Sequence, residues 1–126
     1  MGFEMLAVAL AEQWRFDEAL DLARRALAGR PTAVSAHVQL ARILVMKGDF
    51  DAALPLAYET LRLAPADAQS HGLVSCVLYE LERYSDAVSA AERGMSIDPT
   101  ERNSSWYHAI SLAALGNPNS LVRALT

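Results

Sequence analysis

The chain has 126 residues, 52% of them hydrophobic and 21% charged, with a mean hydropathy of +0.12. That balance excludes intrinsic disorder, which needs low hydrophobicity and high net charge, and the length can bury a core without disulfides or metals. A formal charge of −4 argues against a dedicated phosphate-backbone binder, which carries a basic footprint, and a single cysteine excludes both a disulfide framework and a multi-cysteine zinc site.

Ala and Leu supply 23 and 18 residues, against six Gly and five Pro, which is helix-rich usage. The first apolar run, Met5 to Ala11, could be read as a signal peptide. No basic residue precedes it and Glu4 does, so it reads better as a first helix. No stretch of 18 or more apolar residues exists to span a membrane. Met1-Gly2 is followed by Leu6 where a myristoylation signal needs Ser or Thr. The expected location is the cytoplasm. In chain order the patterns predict helices at about 2–13, 17–28, 33–47, 50–63, 67–81, 85–96 and 100–115, and a short one at 118–125.

A period of 34 residues organises these helices. Pro31, Pro65 and Pro99 keep it, as do Phe16, Phe50 and Tyr84. Ala19, Ala53 and Ala87 follow, then Ala23, Ala57 and Ala91, then Leu27, Leu61 and Met95. In the other half of each unit Leu10, Leu44, Leu78 and Leu112 recur, with Leu6, Leu40 and Val74 four residues earlier and small residues Ala7, Ala41, Ser75 and Ala109 between them. Leu40, Ala41 and Leu44 make one helical stripe, and Ala53, Ala57, Thr60 and Leu61 a second. Between the stripes, Gly48 can take the left-handed conformation that ends a helix and Asp49 can cap the next. Pro65 stops the second helix, and Asp67 can cap the third. Pro55 lies past the first turn of its helix, where a kink is expected.

These series resemble the tetratricopeptide repeat, through Leu6-Ala7, Leu10, Phe16, Ala19, Ala23, Ala26 and Pro31, through Leu40-Ala41, Leu44, Phe50, Ala53, Ala57 and Pro65, and through Val74-Ser75, Leu78, Tyr84, Ala87, Ala91 and Pro99. The family's tryptophan position in helix A holds Phe3, His37, His71 and Ser105 here. The resemblance implies an all-α fold, a right-handed α-solenoid of about 3.5 helix-turn-helix repeats. The single domain 1–126 then divides into repeats 1–33, 34–67 and 68–101, with 102–126 a partial repeat or cap.

Helix A lines the concave face in that family, and the resemblance places Val38, Arg42, Met46, Leu73, Cys76, Tyr79, Trp106, Tyr107 and Ile110 there. A chaperone-binding member grips an acidic C-terminal tail with Lys, Arg and Asn, whereas the matching positions here hold Glu4, Val8, Gln39, Gln69 and Leu73. The expected ligand is therefore not such a tail but a partly apolar peptide or protein segment, with Tyr79 and Trp106 as anchors. Packing of the same residues against neighbouring helices is the competing reading.

No chemistry stands out. His37 and His71 share a repeat position, and units offset by roughly 8–10 Å do not converge on a zinc ion that needs contacts of about 2.0–2.1 Å. Cys76 has no identifiable His and carboxylate partners, and reads as a small buried or groove-lining residue. The acidic residues sit at helix starts, where the dipole favours them. No glycine-rich phosphate loop is present. The expectation is a non-catalytic protein-interaction scaffold without cofactor, metal or nucleic-acid partner. The alternatives are a self-assembly module, forming a homo-oligomer through the C-terminal edge around Leu121, Val122, Ala124 and Leu125, or an accessory segment of a larger enzyme or of a secretion or assembly protein.

Overall fold

The computed structural model describes residues 15–116. Among these residues there are six helices and no strand: α1 (Phe16–Gly29), α2 (Val34–Lys47), α3 (Phe50–Leu63), α4 (Ala68–Glu80), α5 (Tyr84–Ile97) and α6 (Arg102–Ala114). Their starts reproduce the 34-residue period, at 16, 50 and 84 and again at 34, 68 and 102. The helices expected at 2–13 and 118–125 lie outside the described residues. The chain packs as two compact units, Met1–Leu63 and Ala64–Thr126.

In the first unit α2 packs against both α1 and α3. Its core is Leu20, Leu40, Ile43 and Leu44, set against Ala19, Ala23, Ala41, Ala53 and Ala57, all buried. The alanines that carry the period are the ones without exposed surface. With no side chain beyond Cβ, they let neighbouring helix backbones come close. Helix α2 ends on Gly48, at φ 89° and ψ 11°. The Gly48 N–H donates to Val45 O at 3.0 Å and the Asp49 N–H to Leu44 O at 2.8 Å, the paired closure that a left-handed terminal residue allows. Asp49 then accepts from the Ala52 N–H at 3.3 Å and starts α3. Pro55, where a bend was expected, does not interrupt α3. It removes a single backbone donor and its ring is exposed, so the buried stripe through Ala53, Ala57 and Thr60 carries the helix past it.

In the second unit α4, α5 and α6 all contact one another. Helix α4 is covered on nearly every side, with Ala68 and all residues from Ser70 to Leu78 buried. Asp67 caps it by accepting from the Gln69 N–H at 3.2 Å. Close approach depends on missing side chains. A Cβ at Gly72 would lie 2.6 Å from Glu101 Oε2, and a Cβ at Gly94 would collide with Ser104 Oγ. Glu101 is held there because its carboxylate caps α6, accepting from the Asn103 N–H at 3.1 Å and the Ser104 N–H at 2.6 Å. Ser75 completes the core, its hydroxyl donating to Ala87 O at 2.9 Å. The ion pairs among the described residues are solvent-exposed, and four of them join neighbours within a turn, so they contribute little to stability.

Candidate functional site

The helix-A side chains assigned to the ligand face divide between the two units. In the first, Val38, Arg42 and Met46 recur every fourth residue of α2 and so share one face. Val38 is half-buried, Arg42 is exposed and Met46 is 42% exposed.

In the second unit, contact between α4 and α6 brings three of the assigned residues together. The rings of Tyr79 and Tyr107 lie 5.6 Å apart at 53°. Tyr107 also interacts with Cys76, its phenol holding down a thiol that burial pushes up. The net direction for Cys76 is upward, away from the thiolate that a nucleophile needs. Burial, followed by the bond to Cys76, also raises the Tyr107 phenol. Trp106 is 47% exposed on α6, with half-buried Ile110 one turn further on. Leu73 and Cys76 are buried, at 6% and 9% exposure, so they support the face from beneath rather than form its surface.

Sequence reasoning did not assign Tyr84 to this group. Its ring lies 5.5 Å from Tyr79 at 57°, so three tyrosines stand in series. The signal was present, because Tyr84 keeps the aromatic series of Phe16 and Phe50. Tyr84 opens α5 directly after the turn that follows α4, and that turn is what delivers it to Tyr79.

His37 and His71 have a structural task. Each Nε2–H donates to the carbonyl of the proline that closes the preceding repeat, His37 to Pro31 O and His71 to Pro65 O, both at 2.9 Å. Beside His71 an open cavity of about 420 Å³ is lined by Glu92, Arg93, Ser96 and Ile97. An imidazole stands there in place of the larger indole at the family's tryptophan position. Among the described residues no three His, Cys, Asp or Glu side chains come close enough to hold a metal ion.

Equal helices recurring every 34 residues, with buried alanines and a proline at each repeat's close, define a helical repeat protein. The tetratricopeptide repeat model matches residues 9–76, more than half of the chain, and the chain belongs to that family. No curated protein sequence matches it at a significant level. Solved structures with the same fold include the Sgt2 TPR domain from Aspergillus fumigatus, at a TM-score of 0.84 and 15% identity, covering 93% of this chain and 79% of that one. The first TPR domain of the human RPAP3 protein gives 0.83 at 15% identity, covering 90% and 89%. MamA from Desulfovibrio magneticus RS-1, from residue 41 to its end, gives 0.82 at 19% identity, covering 98% and 70%.

Proposed function

We propose that this chain is a non-catalytic protein-interaction scaffold that binds a partly apolar peptide or protein segment on its helix-A face. The observation that carries the reading is Trp106, a large side chain 47% exposed on α6, in the unit where the tilted rings of Tyr79 and Tyr107 meet. Exposed aromatics on a rigid helical support are what interface anchors are made of. A protein of the same fold, the first TPR of Spaghetti (RPAP3), is solved bound to the HSP90 peptide SRMEEVD. The ligand proposed here differs in kind, since none of the matching positions, Glu4, Val8, Gln39, Gln69 and Leu73, holds a cation for an acidic tail. The test compares the wild-type chain with Trp106→Ala against peptides selected from a random library, by fluorescence anisotropy. Affinity is expected to fall about tenfold or more with the helical circular dichroism unchanged; equal affinity removes Trp106 and the reading built on it.

Self-assembly through the C-terminal edge is the second reading, favoured by Leu115, 51% exposed just past α6. Light scattering across a concentration series separates the two. A monomer throughout argues against self-assembly.

A further inference from the structure

The tyrosine series of the second unit is flanked by acid. Tyr84, Tyr79 and Tyr107 are each half-buried, and tilted contacts at 5.5 and 5.6 Å hold their rings in place. Glu80 and Glu82 lie at and just after the end of α4, both exposed. Their charge reaches the rings: after burial, Glu82 and Glu80 help to raise the Tyr84 phenol, and Glu80 contributes at Tyr107. Among the described residues neither carboxylate is held in an ion pair. The adjacent Arg83 pairs instead with Asp86, at 3.0 Å.

Backbone conformation adds an independent observation. Glu82 has φ 62°, the left-handed region, and the equivalent positions one repeat before and after are Gly48 at 89° and Gly116 at 93°. A side chain here costs conformational energy that glycine avoids. Strain kept at one position of a repeat points to a use for the side chain that causes it.

We propose that this face receives an arginine of the peptide partner, its guanidinium packed against the tyrosine series and paired with the carboxylates of Glu80 and Glu82. The inference rests on the peptide-binding reading above and names the chemistry of the ligand. Arginine fits better than lysine because its planar group can stack on a ring and present a fork of donors to carboxylate in the same pose. The chain's net charge of −4 attracts such a partner from a distance.

The test starts from random peptides panned on the full chain, with the enriched sequences labelled and titrated. Enriched peptides are expected to carry arginine. Affinity is expected to fall about tenfold when that arginine becomes glutamine, and similarly in Glu80→Gln and Glu82→Gly. Glu82→Gly is expected to melt at a higher temperature than wild type while binding more weakly, which separates lost recognition from lost folding. Enriched peptides without arginine that still lose affinity on Trp106→Ala overturn this inference and leave the groove reading standing. Lysine in place of arginine, or unchanged affinity in both glutamate variants, also overturns it. No enrichment at all overturns both.

Discussion

Glu82 stands where Gly48 stands one repeat earlier, and the two backbones close their helices with the same pair of bonds. Gly48 N–H to Val45 O and Asp49 N–H to Leu44 O, at 3.0 and 2.8 Å, are repeated by Glu82 N–H to Tyr79 O and Arg83 N–H to Leu78 O, both at 2.9 Å. The left-handed conformation costs a residue with Cβ about 1–2 kcal/mol, while glycine gives back part of that through the freedom of its unfolded chain. Glu82→Gly is therefore expected to stabilise the fold by about 1 kcal/mol, read as a higher urea midpoint at unchanged slope. The reverse change, Gly48→Ala, meets no atom within 4 Å, so its cost is backbone strain alone. It is expected to destabilise by about 1 kcal/mol. A midpoint that falls in Glu82→Gly contradicts the comparison.

Gly94 tests how closely α5 and α6 are packed. A Cβ there would run into Ser104 Oγ and stand 3.3 Å from His71 Cβ. Ser104 is fully buried, and among the described residues its hydroxyl has no hydrogen-bond partner. Gly94→Ala is expected to cost about 1–3 kcal/mol through overpacking. Ser104→Gly in the same chain should relieve part of that cost, so a double-mutant cycle should show coupling. Strictly additive losses would mean that the two residues do not share this space.

The repeat was legible because it is written in apolar periodicity. Ala53, Ala57 and Leu44 announce their helices and are buried where the stripes put them, and Gly48, Asp49 and Asp67 take the capping roles that their side chains suit. Much of the second unit's face was not legible. Its geometry arises from contacts between residues far apart in sequence, such as Tyr79 with Tyr107, and from backbone angles that residue type argues against, such as the positive φ of Glu82. Leu73 and Cys76 share the helix face of their neighbours, yet α4 is so thoroughly covered that both are buried. Periodicity gives direction around a helix, and exposure depends on what packs over it.

The histidine-to-proline bonds predict parallel behaviour in two repeats. His37 and His71 are 7% and 8% exposed, and each satisfies a proline carbonyl through Nε2. Phenylalanine keeps the ring and removes the donor. His37→Phe and His71→Phe are each expected to cost about 1–2 kcal/mol, the penalty for stranding a partly buried acceptor. His71→Trp brings an indole N–H together with the volume to occupy the cavity beside Glu92 and Ile97, and should be better tolerated than His71→Phe. Thermal melts of the three variants rank them; a phenylalanine variant as stable as wild type shows that its bond contributes nothing.

Cys76 and Tyr107 make alkaline stability a readout of the α4–α6 contact. Burial is the leading cause that raises both groups, from ordinary values of 9.0 and 10.0. A raised folded value means that the native state holds its proton after the unfolded chain has lost it. The associated stability is complete below the unfolded value and is lost as pH rises through the folded one. The urea midpoint is thus expected to hold to about pH 8 and to decline from about pH 9 upward. Tyr107→Phe removes one titrating group, the phenol that also holds the Cys76 thiol down. Its decline should be shallower above about pH 10, while labelling of Cys76 by a thiol reagent should shift to higher pH. A midpoint that stays level to about pH 11 would place both groups in water and take apart the contact between buried Cys76 and half-buried Tyr107.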